Sequence, residues 1–254
     1  MKKIILSCIF FLMAASLLKA QNDSTNTVKK PEPLTIKKNL IKINLFALGL
    51  RNISLQYERK IAKKITIGLT AREMPDGLLP FEKSFRNSIS DSSTKSQLDN
   101  FKVGNFAVIP EIRFYFSRRG AFHGFYIAPF ASYAHYTANL PYHYSDNGVD
   151  KSIQLAGNLN CITGGLMFGA QWNLGKVVYL DFHLIGPNFG SCNGSITGST
   201  SLSSDEQSAL KSSLDDLKVP LATTSNTVDA NGATLKFSGP WAGIRSGLCI
   251  GVRF

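Results

Sequence analysis

The chain has 254 residues, 44% of them hydrophobic, a mean hydropathy near zero and a formal net charge of +11. Beyond residue 20 no stretch approaches the ~18 unbroken apolar residues of a membrane-spanning helix, so helical spanning is excluded. The basic excess suits nucleic acid or an anionic membrane surface, and a secretory start argues against nucleic acid.

That start is residues 1–20. Lys2 and Lys3 precede an apolar run from Ile4 to Leu18, with cleavage expected after Ala20. Cys8 lies inside the run rather than after a cleavage site, so it is not a lipid-carrying cysteine. Cleavage removes Lys2, Lys3 and Lys19 and leaves Cys161, Cys192 and Cys249. Three scattered cysteines imply neither a metal site nor a dense disulfide framework. Cys161 and Cys192 are the candidates for one disulfide, near the outer rim, in an oxidising envelope. Length alone leaves open one all-β barrel or two ordinary domains.

Residues 21–38, with Pro31, Pro33 and several lysines, read as an extended periplasmic leader. Alternation then starts: Ile41, Ile43, Leu45 and Ala47 share one strand face and Lys42 and Asn44 the other. A turn at 49–51 leads to Ile53, Leu55 and Tyr57, alternating with Ser54, Gln56 and Glu58. Ile65, Ile67, Leu69 and Ala71 follow, opposite Thr66, Gly68, Thr70 and Arg72. Residues 74–102 are polar and long for a connection. The fourth strand sets Phe106, Val108, Ile112, Phe114 and Phe116 against Asn105, Glu111 and Arg113, and Pro110 predicts a bulge or a weakly paired position.

The fifth strand, 124–136, is apolar on both faces, and its inward set stays open. Residues 138–152 read as a polar loop. The strand ending at Trp172 changes phase near Gly164 and Gly165, which predicts a bulge there; Leu166, Phe168, Ala170 and Trp172 face outward. After a turn at 173–176, Val178, Leu180, Phe182 and Leu184 oppose Tyr179, Asp181 and His183. Residues 187–239 form the longest insertion, with a helix from Ser204 to Leu217, a capping-box spacing at Ser204 and Gln207, and a stop at Pro220. Leu248, Ile250, Val252 and Phe254 alternate with Cys249, Gly251 and Arg253 in an eighth strand.

Connections after strands two, four and six are short and those after three, five and seven long, which is the pattern of an up-and-down antiparallel barrel. Eight strands over residues 39–254, with short periplasmic turns and long outer loops near 74–102, 138–152 and 187–239, are the expected fold. Tyr57, Phe114, Phe116, Trp172 and Phe254 all fall near periplasmic turns or the terminus, forming an aromatic girdle. Closure also removes sheet edges, whose unpaired backbone is costly in lipid.

The ending from Gly243 through Leu248, Ile250, Val252 and Phe254 resembles the final strand of outer-membrane proteins, whose alternating apolar residues and terminal Phe are read by the barrel-assembly machinery. The chain from residue 39 on resembles small OmpA/OmpX-like outer-membrane barrels, and most closely an uncharacterised barrel family of Bacteroidetes. Residues 39–71, the run Gly124-Phe125-Tyr126-Ile127-Ala128-Pro129-Phe130 and Gly239-Pro240-Trp241-Ala242-Gly243 carry that likeness. It implies a Gram-negative outer membrane, periplasmic termini, and lipid and lipopolysaccharide as surroundings. It does not imply the peptidoglycan-binding domain of OmpA.

The inward charges are Lys42, Glu58, Arg72, Glu111, Arg113, Asp181, Arg245 and Arg253, with His183 beside them. An eight-stranded lumen is filled by side chains, so these groups are expected to pair in a plugged core. Two other readings remain: a narrow anion-favouring pore, and a lipid-modifying envelope enzyme using Asp181 and His183. No serine stands in a nucleophile-elbow context, so the chain reads as non-enzymatic. His123, His135 and His143 lack metal-ligand spacing; no metal, cofactor or nucleic-acid partner is expected. The helix from Ser204 either recognises an unidentified surface partner or packs on its own rim.

Overall fold

The computed structural model describes residues 37–78, 80, 100–216 and 223–254. The expected signal and nearly all of the leader, most of the 74–102 connection and the Pro220 stop lie outside them. The described residues form nine strands and two helices: β1 (Asn39–Asn44), α1 (Leu45–Gly49), β2 (Ile53–Lys60), β3 (Ile65–Leu78), β4 (Lys102–Tyr115), β5 (Gly124–Asp146), β6 (Val149–Asn173), β7 (Val178–Ser199), α2 (Ser204–Asp215), β8 (Thr223–Asp229) and β9 (Gly232–Arg253).

All pairings are antiparallel. Each strand from β1 to β6 pairs with the next, β7 pairs with β9, and β9 returns to β1, closing a ring of hydrogen bonds. The ninth strand, β8, lies outside that ring as a hairpin partner of β9. Closure brings Ile41 opposite Val252 and lets Asn39 and Phe254 exchange backbone hydrogen bonds at 3.0 and 2.9 Å. None of the helices described is long and apolar enough to cross a membrane, which has no bearing on crossing by strands.

Several sequence expectations need correction. Residues 138–152 are not a loop: β5 and β6 pair in unbroken register to Asp146 and Val149. They turn through Asn147 (φ 49°) and Gly148 (φ 81°). Two successive positive φ values are what a tight two-residue hairpin requires, and Asn-Gly is the dipeptide that adopts them most readily. Much of 187–239 is also strand, in β7, β8 and β9. Leu45 and Ala47 leave the strand for the one-turn helix α1, because Asn44 caps it, its side chain accepting from the Ala47 N–H at 3.2 Å. At Pro110 the β4–β5 register is the same on both sides, with no pairing at Ile109 or Pro110, so the proline weakens pairing without a bulge.

The expected bulge at Gly164 and Gly165 is absent, since odd-numbered residues of β6 face inward from Ile153 to Gln171. The irregularity lies in β7, where Leu184 and Ile185 are both exposed and the register shifts against both neighbours. What changes near Gly164 is which face is apolar. Toward Trp172 the outward residues are Ile162, Leu166 and Phe168; beyond Ile162 the outward residues are Asn160, Asn158 and Gln154, and Leu155 and Ile153 point inward. Adjacent strands switch at the same level, because Ile162 pairs with Tyr133 and Ser191, and Ser191 with Pro240.

The interior therefore has two apolar layers of different origin. One surrounds Tyr115, Phe122, Tyr126 and Tyr179 near the short turns. The other, in the tall part of the sheet, joins Tyr142, Tyr144, Ile153, Leu155, Ile196 and Leu235 to Leu210 and Leu214 of α2. The helix thus spends its apolar face on its own sheet. Its capping box is Ser203 with Glu206, one residue earlier than expected, while Gln207 donates to the Leu202 carbonyl at 3.1 Å.

Candidate functional site

Between those layers lies a cluster of ionised side chains. Period-two alternation on β1, β2, β4 and β7 sends Lys42, Glu58, Arg113 and Asp181 inward, and closure of the ring brings these distant positions together. Lys42 Nζ lies 2.6 Å from Glu58 Oε2 and 2.5 Å from Asp181 Oδ2. Arg113 Nη1 is 2.6 Å from Asp181 Oδ2 and 3.4 Å from Glu58 Oε2, and Arg113 Nε donates to Glu111. Glu111 also receives Arg245 Nη1 at 2.6 Å. Three cations thus face three carboxylates, and the side chains of Lys42, Glu58, Glu111, Arg113 and Asp181 are 0% exposed. Burial on that scale is tolerable only with such pairing.

Neutral groups complete the network. Tyr126 donates to Asp181 Oδ1 at 2.8 Å, and its ring lies 4.3 Å from Arg113 Cζ. Thr66 and Tyr115 donate to Glu58 Oε1 at 2.6 and 2.7 Å, and Arg113 Nη2 donates to Gln56 Oε1 at 2.9 Å. Sequence reasoning passed over these residues. Gln56 and Thr66 share the polar face of their strands with Glu58, so their phase was legible; Tyr126 lies on the strand whose two faces look alike.

The other expected interior residues sit apart. Arg72 donates through Nε to Asn105 at 3.0 Å and makes no ion pair among the described residues. Arg253 is at the short-turn end, donating to the Lys37 carbonyl at 2.8 Å and to the Tyr179 hydroxyl at 2.9 Å, and lying over the Phe122 ring. Phe122, fully buried and held at φ 69°, closes that end of the interior. Such a backbone angle is a genuine outlier for a bulky residue.

His183 and Asp181 do meet, Nε2 to Oδ2 at 3.2 Å, but the same nitrogen also faces Arg113 Nη2 at 3.2 Å and Cys249 Sγ at 3.8 Å. Asp181 is already held by Lys42, Arg113 and Tyr126. An imidazole whose Nε2 is occupied by a guanidinium is badly placed to take a proton from a nucleophile. Among the described residues, no group of three or more His, Cys, Asp or Glu is arranged to hold a metal.

The remaining expected residues are on the surface or in the wall. Tyr57, Phe114, Phe116, Trp172 and Phe254 point outward and are exposed, as are Ile250 and Val252 of the last strand. Leu248, also outward by alternation, is half-buried. Cys161 and Cys192, directly opposite on β6 and β7, are joined by a disulfide. A cavity of about 260 Å³ adjoins the network beside α1 and β9, and a second of about 100 Å³ shares Arg72, Ile109, Ile244 and Arg245 with it.

Fold and site together define an antiparallel sheet closed by a ring of hydrogen bonds around a buried, paired ionic core. The chain belongs to the family described as "Protein of unknown function (DUF3575)", whose model matches residues 8–188. No curated protein and no solved structure matches it significantly. The family match ends within β7, so α2, β8 and β9 lie beyond it.

Proposed function

We propose that this protein is a non-enzymatic, eight-stranded transmembrane β-barrel of a Gram-negative outer membrane, OmpA/OmpX-like, with both termini in the periplasm. Its tall extracellular extension, stiffened by α2, presents polar strand faces and loops to a surface partner. The observation that carries this reading is the common level at which the outward faces change from apolar to polar. Below that level the band on β6, residues 162–172, is about 11 residues deep, the length with which a tilted strand crosses hydrocarbon. Above it, β5, β6, β7 and β9 continue with the opposite polarity, as a sheet does once water replaces lipid outside.

Tyr57, Phe114, Phe116, Trp172 and Phe254 supply an interfacial aromatic belt on the periplasmic side. Lipid, lipopolysaccharide and the barrel-assembly machinery are the partners this reading requires, the last through Leu248, Ile250, Val252 and Phe254. The balanced, fully paired core favours a structural role for the interior over an anion-selective pore.

The test is gel mobility of the full chain from separated inner and outer membranes, with and without boiling. A boiling-dependent shift in the outer-membrane fraction is expected. Intact cells carrying Ser195→Cys should label with a membrane-impermeant maleimide, and Lys176→Cys cells should not. A soluble periplasmic protein without the shift would overturn the reading.

A further inference from the structure

Among the described residues, the wall of the ring is incomplete at one place. β1 pairs with β9 only from Leu40 to Asn44, opposite Arg253 to Cys249. β8 covers the same edge of β9 only from Gly232 to Ser238. Between those limits β9 is paired on its β7 side, and no strand among the described residues pairs with its other edge. Where β1 would have continued, the chain winds into α1, which packs beside β9 and leaves Phe46 and Leu48 56% and 44% exposed. Unpaired backbone is expensive in hydrocarbon, so a gap at this level asks for an occupant.

The larger cavity passes around that free edge. It is lined by Ile244 and Ser246 from the outer face of β9 and by Arg245 and Cys249 from the inner face. Phe46 and Leu50 form its opposite side, and Gln56 and Arg72 its inner end. One end is therefore apolar and turned to the outside, and the other is cationic. Among the described residues, no carboxylate lines it. Arg245 is shared with Glu111 and Thr70, whereas the bond of Arg72 among the described residues is the one to Asn105. Gln56, 3% exposed, lines the inner end, and its Nε2, like Asn52 Oδ1 on the same lining, has no hydrogen-bond partner among the described residues.

We propose that this gap is a lateral binding site for a single-chain amphiphile with an anionic carboxylate or phosphate head. The head sits between Arg72, Arg245 and Gln56, and the alkyl chain leaves past Phe46 and Ile244 into the lipid. The proposal rests on the transmembrane reading above. About 260 Å³ is below the range of pockets that enclose a whole drug-sized ligand, so the cavity takes the head and the first carbons only.

Trp241 lines the adjoining cavity and reports on occupancy. The experiment uses the full chain with Trp172→Phe in phosphatidylcholine vesicles, titrated with 2-bromohexadecanoate, whose bromine quenches tryptophan at short range. Saturable quenching is expected, at least tenfold weaker for the uncharged 2-bromohexadecanol and for the Arg72→Gln variant. Displacement by palmitate, by lysophosphatidic acid or by both supports the site and identifies the head chemistry. Equal quenching by acid and alcohol, no loss in Arg72→Gln, or displacement by acetate or inorganic phosphate alone would overturn it. The boiling-dependent gel shift is scored on the same vesicles: a shift without saturable quenching removes the lateral site alone, whereas absence of the shift removes the membrane reading itself.

Discussion

Lys42→Met tests the ionic core most directly, because Lys42 stands between two carboxylates at 2.6 and 2.5 Å with no exposure of any of the three side chains. Breaking a buried pair by deleting one partner costs about 3–5 kcal/mol, since it leaves a charge uncompensated. Arg113 still reaches Asp181 at 2.6 Å and Glu58 at 3.4 Å, so the lower end, about 3 kcal/mol, is expected. Met roughly conserves the volume and adds no cavity term. Adding Glu58→Gln removes the surplus negative charge and keeps an acceptor for Thr66 and Tyr115, so the double variant should recover at least about 1 kcal/mol relative to the sum of the single losses. The assay is reversible urea unfolding in phospholipid vesicles with a constant m-value. A loss below about 1 kcal/mol for Lys42→Met, or strict additivity in the double variant, would refute the argument that these charges stabilise one another.

Other expectations are simpler. Leu210→Ala, which empties a fully buried position between α2 and the tall sheet, should cost about 2–5 kcal/mol and release the amide protection of α2. The hydrogen bond from Lys151, together with those from Ser203, holds the Glu206 carboxyl at about 2, below its ordinary 4.5. A carboxyl lowered on folding stabilises above 4.5, and that contribution fades as the pH falls toward 2; α2 protection should decline over that window and lose this step in Glu206→Gln. The Cys161–Cys192 disulfide closes a separation of 31 residues, so Cys161→Ala with Cys192→Ala should cost about 3–4 kcal/mol on loop-entropy grounds, read by non-reducing unfolding. Cys249, buried beside His183, should resist maleimide until the chain is boiled.

Strand phase near the short turns was legible because it is a local property. Ile53, Leu55 and Tyr57 against Ser54, Gln56 and Glu58 determine by themselves which residues share a face, as do the alternations that hold Glu111 with Arg113 and Asp181 with His183. The Asn147-Gly148 hairpin was equally available, its turn chemistry being contained in two residues. By contrast, Leu45 and Ala47 continue the alternation of β1 yet form α1, because the Asn44 side chain captures the Ala47 N–H at the last residue of β1 that pairs with β9, although β9 itself runs on.

The period of two, and with it the set of residues that lie together on one strand face, is local to each segment, but alternation carries no label for inside. That label came from tertiary structure: on β6 the apolar face turns from outward to inward past Ile162, because Leu155 and Ile153 are buried in the cluster that includes Leu210 and Leu214 of α2, while Phe168 and Trp172 stay exposed on the outer face. Closure also decided the pairing of Lys42 with Asp181, 139 residues apart, and the union of Cys161 with Cys192. Such contacts depend on the shear and register of the whole ring, which no single strand contains.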